Sequence, residues 1–251
     1  MKKQILTLVL SVLPTFAFAA GGGVHLDSAP IDISDMESVE RGAKHFVDYC
    51  LSCHEASYMR YNRIARDTGM TDAELRENLI FTTNEDGEPT KVGSLMKVAM
   101  TEDYARNAFG GPVPDLTLTS RARGADWLYT YLRTFYLDPY RPTGVNNLVF
   151  PDVGMPHVLS SLQGLQKAVY KTETHQGVAV EHVDHLEVVQ PGSMTTEEYD
   201  AFVADLVNFM VYLGEPVQNE RRSLGVKVLI FLVIFFVVAY LLKKEYWKDV
   251  H

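Results

Sequence analysis

Apolar residues recur at helical spacing in three stretches of the chain, and each recurrence comes with its own start or stop signals. In the first, Ser34-Asp35-Met36-Glu37 has the form of a capping box, and Val39, Ala43, Phe46, Val47 and Cys50 follow at intervals of three and four. In the second, Asp126 to Leu137 carries Trp127, Leu128, Tyr131, Leu132 and Phe135 on one face before Asp138-Pro139 ends it. Such an aromatic stripe reads first as core. The third is the strongest soluble helix: Thr195-Thr196-Glu197-Glu198, then Tyr199, Phe202, Val203, Leu206, Phe209, Met210 and Leu213, closed by Gly214 and Pro216. Thr71 and Glu74 predict a short helix through Ile80. One stretch, Val178 to Val189, alternates as a strand does, and it looks too isolated to build a sheet of any size.

Two further segments are apolar without a polar face. Met1-Lys2-Lys3, the run Ile5 to Leu13 and Ala17-Phe18-Ala19 have the basic, apolar and small-x-small regions of an export signal, predicting cleavage of residues 1–19. Leu224 to Leu242 contains a single charge, Lys227, and at 1.5 Å per residue is about 28 Å long, a bare match to a bilayer core. Lys243, Lys244, Tyr246 and Trp247 supply interfacial anchors after it. The expected organisation is therefore a periplasmic domain over 20–222, a transmembrane helix over 224–242 and a cytoplasmic tail over 243–251. No internal repeat or Ser/Pro-rich linker divides the exported part.

Composition sharpens this picture. The 251 residues are 47% hydrophobic and carry a net charge of -9, which excludes a disordered or collagenous chain and has the wrong sign for holding nucleic acid. Residues 20–222 hold 17 of the 23 basic and 30 of the 32 acidic residues, so the exported domain has a net charge of -13. Acidic clusters at Glu85-Asp86-Glu88, Glu102-Asp103 and Glu181 to Glu187 suit a basic partner steered by the long-range field, or simply a solvated face.

The chain has two cysteines, and they fall in Cys50-Leu51-Ser52-Cys53-His54, a C-x-x-C-H motif. Two thiols at a helix end can reach the two vinyl groups of one porphyrin edge, and the next histidine then falls under the iron. A thioredoxin-like redox pair needs a strand-helix context that is missing here. A zinc site would have to recruit His175, His182 or His185, and a disulfide across two residues would close too small a loop to stabilise much. For a sixth iron ligand, Met155 stands out among nine methionines because Phe150-Pro151-Asp152-Val153-Gly154-Met155-Pro156 combines prolines that fix φ with a glycine that permits close approach. His157 or another histidine is the alternative. Haem propionates need cationic partners, and Arg121 or Arg123 could serve, surface ion pairing being the other use of both.

Taken in order, Cys50 to His54, Tyr58-Met59-Arg60-Tyr61, Pro114-Asp115-Leu116, Arg121-Ala122-Arg123, Phe150-Pro151 leading to Met155, Gly214-Glu215-Pro216 and the single carboxy-terminal span resemble the cytochrome c1 family of the bacterial cytochrome bc1 complex. Val113 stands where that family usually has a second proline, and Trp127 where it often has tyrosine. The resemblance implies a mainly α, cytochrome c-like domain with insertions, one covalent haem c on Cys50 and Cys53, axial ligands His54 and Met155, and a propionate partner in Arg123. It implies an inner-membrane subunit that takes electrons from a Rieske iron-sulfur protein beside cytochrome b and gives them to a soluble periplasmic cytochrome c. A free-standing tethered cytochrome feeding an oxidase, and a haem enzyme or sensor with an open iron position, are the competing expectations.

Overall fold

The computed structural model describes residues 24–83, 87–98, 100–175 and 178–248. The expected export signal lies outside them, as do Glu85 and Asp86 of the first acidic cluster. In chain order the elements are α1 (Met36–Tyr49), β1 (Ala56–Arg60), α2 (Tyr61–Thr68), α3 (Asp72–Asn78), β2 (Leu95–Met96), α4 (Glu102–Phe109), α5 (Thr119–Arg123), α6 (Ala125–Arg133), β3 (Phe135–Leu137), β4 (Val145–Asn147), α7 (Ser160–Gln163), β5 (Gly164–His175), β6 (Val178–Pro191), α8 (Thr196–Gly214) and α9 (Gln218–Tyr246). The fold is mainly α, and its strands form three antiparallel pairs, β1-β2, β3-β4 and β5-β6.

The core is organised on α1 and α8. Helix α1 is capped by Asp35, whose carboxylate accepts from the Ser38 amide at 3.0 Å, so the cap sits one residue past the Ser34 that the capping-box pattern points to. Helix α8 opens with the full box expected of it: Thr195 accepts from the Glu198 amide, and Glu198 accepts from the Thr195 amide. Val39, Ala43 and Phe46 on α1 and Val203, Leu206 and Phe209 on α8 are buried, with the Phe46 and Phe209 rings 5.5 Å apart. Each of the valine, leucine and phenylalanine side chains contributes about 1.5–3 kcal/mol on burial. The two backbones close up at Gly42, where a Cβ would stand 2.0 Å from the Asp205 carbonyl oxygen. Beside that contact Asp205 takes a 2.6 Å ion pair from Arg41 and a 2.6 Å hydrogen bond from the Ser38 hydroxyl.

Two sequence expectations are corrected here. The helix expected to run from Asp126 to Leu137 ends at Arg133. Asp138-Pro139 favours extended backbone ahead of it, and Phe135–Leu137 pairs with Val145–Asn147 as strands β3 and β4. The strand expected over 178–189 is real but not isolated: as β6 it pairs along its length with β5, in a long two-stranded hairpin with bulges at Leu165/Gln166 and Val169/Tyr170. Helix α3 keeps its Thr71–Glu74 capping box. At the other end, residues 224–242 lie inside α9, whose most apolar window has a mean hydropathy of 2.8 and no buried residue, as suits a helix meant to meet lipid.

Candidate haem site

The C-x-x-C-H motif starts where α1 stops. Cys50 is the C-cap residue, and the amides of Cys53 and His54 both donate to its carbonyl oxygen, at 3.0 and 2.8 Å, folding the pentapeptide into one tight turn. No disulfide joins Cys50 to Cys53. Cys50 is buried, which pushes its thiol up to about 12, so it remains a neutral thiol. Burial also lowers His54 from its ordinary value, against the opposing pull of the Pro114 carbonyl and Asp115, so that its imidazole is neutral at physiological pH. Its Nδ1 lies 2.8 Å from the Pro114 carbonyl oxygen. Donation from Nδ1–H to that carbonyl leaves Nε2 as the ring's lone-pair nitrogen, the form in which histidine binds a metal.

The segment that supplies this carbonyl is itself laced to the motif. The Leu116 amide donates to the Glu55 carbonyl at 2.8 Å, and Asp115 accepts from the Ser57 and Thr117 amides, both at 2.8 Å. These hydrogen bonds outweigh the effect of burial and hold the Asp115 carboxyl below the usual range. From there the chain runs through α5, which carries Arg121 and Arg123, into α6, which carries Trp127 and Tyr131.

Met155 lies in the loop after β4, half-buried against the core. The loop is held by two adjacent buried asparagines. Asn147 donates from Nδ2 to the Tyr131 carbonyl at 2.7 Å while its Oδ1 accepts from the Val149 and Phe150 amides, and the Asn146 Oδ1 accepts from the Asp152 amide at 2.8 Å. Asp152 has a left-handed φ of 63°, unusual without glycine, and Arg141 holds both its carbonyl and its carboxylate. Above this loop the rings converge: Trp127 stacks on Tyr131 at 4.9 Å, Phe150 meets Trp127 edge-on, and the Arg123 guanidinium lies 5.2 Å from the Trp127 ring and 5.7 Å from Phe150. The Tyr131 hydroxyl donates to Met155 Sδ at 3.3 Å, and burial raises the phenol well above its ordinary value, so it stays a donor.

The two candidate arginines therefore part company. Arg123 is exposed beside the Trp127–Phe150 rings, whereas Arg121 ion-pairs with Glu215 at the end of α8, a carboxylate that Arg221 also grips. His157, the alternative to Met155, is packed in the core with its ring 4.9 Å from Phe135 and parallel to it, and burial drops it to about 4. His182 and His185 lie on β6, where their partners are Glu173, Asp184 and Glu187. A cavity of about 820 Å³ at the base of the β5-β6 hairpin, lined by Asp27, Arg133, Tyr199 and Asp200, holds none of the motif residues. The residue types present, two thiols, a neutral histidine with a free Nε2 and a thioether on a braced loop, fit a c-type haem. Sequence reading missed the Pro114 carbonyl, Asn146, Asn147 and the part Tyr131 takes. The adjacent asparagines just ahead of the Met155 loop were the available signal, since two polar residues there invite backbone hydrogen bonds.

Comparison with known proteins places the whole chain in a family. A sequence model of the Cytochrome C1 family matches residues 27–250. A cytochrome c1 of Allochromatium vinosum is 51% identical over the whole of both chains. A protein of Nitrosomonas europaea named ammonia monooxygenase gamma subunit is 50% identical over 99% of this chain and 98% of its own, and the cytochrome c1 of Rhodospirillum rubrum is 24% identical over 86% of this chain and 83% of its own. A match that spans the motif turn, the braced methionine loop and the apolar helix leaves one assignment: the chain belongs to the cytochrome c1 family of electron-transfer proteins, whose members carry covalently bound haem c and a membrane anchor.

Proposed function

We propose that this chain is the haem-bearing subunit of a ubiquinol:cytochrome c oxidoreductase, taking electrons from a mobile Rieske iron-sulfur domain and passing them to a soluble periplasmic cytochrome c. The observation that carries the reading is His54. Its neutral ring, tied through Nδ1 to Pro114 in a turn that also holds both cysteines, keeps Nε2 as the nitrogen that would bind an iron. Bound haem c supplies a one-electron Fe(III)/Fe(II) couple in which no bond is made or broken. Cys50 and Cys53 would hold it through thioethers, His54 and Met155 would ligate its iron, and Arg123, beside the Trp127 and Phe150 rings, would meet a propionate.

The orientation in this reading rests on the export-signal pattern of residues 1–19 and the one apolar helix. Together they would leave residues 20–222 in the periplasm and 243–251 in the cytoplasm, with α9 holding the domain at the bacterial inner membrane. The net charge of -13 on the exported domain supports a basic acceptor. One observation favours a second reading: the Nitrosomonas relative is named as part of an ammonia monooxygenase, which would give the same haem domain different neighbours. Native electrophoresis of detergent-solubilised membranes, with haem staining and identification of the co-migrating subunits, separates the readings. Co-migration with a cytochrome b and a Rieske protein is expected. A haem band that runs alone, or with monooxygenase subunits, overturns the proposal.

A further inference from the structure

Tyr131 meets the Met155 loop at both ends of the same residue. Its carbonyl oxygen accepts from Asn147, whose own Oδ1 holds the Val149 and Phe150 amides, and its hydroxyl donates to Met155 Sδ at 3.3 Å. Among the described residues that sulfur is the hydroxyl's hydrogen-bond partner. The ring between these two ends has little freedom, with Trp127 stacked on it at 4.9 Å and Phe135 edge-on at 5.1 Å. Asn147 is fully buried, so the loop cannot drift from α6 without stranding polar groups away from water.

From this arrangement we infer that Tyr131 is a positioning residue for Met155, fixing the direction of the thioether and raising the reduction potential of the site through its hydrogen bond to sulfur. The inference rests on Met155 being the axial ligand. A thioether sulfur has two lone pairs; with one accepting from the phenol, the other is the one left for a metal, and rotation about the terminal bonds of the side chain, otherwise free in methionine, is stopped. Donation to sulfur withdraws electron density from the ligand, which disfavours the ferric state relative to the ferrous. Outer-shell hydrogen bonds of this kind tune a metal without touching it.

The test is a redox titration of the full-length holoprotein in detergent, with the far-red sulfur-to-iron absorption band recorded alongside, for Tyr131→Phe, Met155→Leu and the double variant. Phe keeps the ring between Trp127 and Phe135 and removes the donor alone; Tyr131→Leu, which also lacks a donor, is the second single variant and moves the potential the same way. Tyr131→Phe is expected to keep the band and to lower the reduction equilibrium constant about three- to tenfold, roughly 30 to 60 mV for one electron. Met155→Leu abolishes the band, and adding Tyr131→Phe to it changes the potential no further, since the two act as one unit. If Met155→Leu loses the band while Tyr131→Phe and Tyr131→Leu leave the potential where it was, or if Tyr131→Phe lowers it equally with and without Met155, the inference about Tyr131 is wrong and the ligand assignment stands. If Met155→Leu keeps the band, the ligand assignment itself is wrong, and this inference goes with it.

Discussion

His54 Nδ1 and the carbonyl oxygen of Pro114 stand 2.8 Å apart across sixty residues of sequence, and this contact joins the motif histidine itself to the segment that leads into α5 and α6. Because Pro114 contributes through its backbone, the contact depends on where the segment is held and not on a side chain at that position. Asp115 does the holding, through the Ser57 and Thr117 amides.

Asp115→Ala should therefore cost more than an exposed aspartate usually does. It leaves two amides without their acceptor, and an unsatisfied buried or half-buried donor costs about 1–3 kcal/mol. The pH dependence has a definite sign. The folded carboxyl lies below its ordinary value of 3.8, so its contribution is complete above about pH 4 and is lost as pH falls through the lower, folded value. Urea titrations of wild type and Asp115→Asn at pH 7 and pH 3.5 check this: the gap between the two proteins should narrow at the lower pH.

Gly42 makes a sharper demand. A Cβ there would lie 2.0 Å from the Asp205 carbonyl oxygen and 2.7 Å from the Phe209 Cβ, so the α1–α8 contact cannot keep its spacing. Gly42→Ala gains about 1 kcal/mol of helix propensity and loses more to overpacking, typically 1–3 kcal/mol and here at the upper end or beyond because the clash is with backbone. Thermal unfolding followed by circular dichroism should show a lower midpoint. A midpoint at or above wild type would mean that α1 and α8 are farther apart than described.

What could be read from the residues alone follows the strength of their patterns. Helices α1, α8 and α9 are long, one-faced or fully apolar, and marked at their ends, so periodicity finds them; the Thr71 and Thr195 boxes are local chemistry and hold. Ser34 fails as a cap because Asp35, one step on, offers a carboxylate to the Ser38 amide. Strand β5 escaped because Lys167, Ala168, Val169, Tyr170 and Lys171 show no apolar-polar alternation: both faces of the hairpin are largely in water. In the candidate site, Cys50, Cys53 and His54 stand out in the sequence because the chemistry of haem attachment dictates residue types and spacing. Tyr131 was not, since an aromatic at helical spacing looks the same whether its hydroxyl is idle or bonded to Met155, and the Pro114 carbonyl carries no residue signature at all.

On the proposed function, the acidity of residues 20–222 predicts how an acceptor arrives. With a net charge of -13, encounter with a basic cytochrome c is accelerated by the field, and the second-order reduction rate should fall steeply between low salt and about 0.15 M, where the Debye length is about 8 Å. Glu102 and Asp103 sit exposed in the first turn of α4. Stopped-flow reduction by this protein, wild type against Glu102→Gln/Asp103→Asn, should show a shallower salt dependence in the variant if α4 borders the docking face, while a rate indifferent to salt in wild type removes steering altogether.

Glu215 closes the junction between the domain and its anchor. It follows Gly214 at the end of α8 and is gripped by Arg121 from α5 and Arg221 from the first turns of α9, so one carboxylate joins three helices just before the apolar span. The Arg221 hydrogen bond, with Arg121 adding to it against the effect of burial, pulls Glu215 down to about 2. Its folded value lies below its ordinary value of 4.5, so the junction is braced above that pH and loosens as pH falls from there toward 2. Glu215→Gln removes the charge at every pH and frees Arg121 and Arg221 together. Limited proteolysis at neutral pH should then cut more readily at Arg221-Arg222, where wild type resists, and lowering the pH toward 3 should make wild type approach the variant, as followed with an acid-active protease that cleaves in the same segment. Equal cleavage of the two proteins at pH 7 would show that α9 is held to the domain by packing alone.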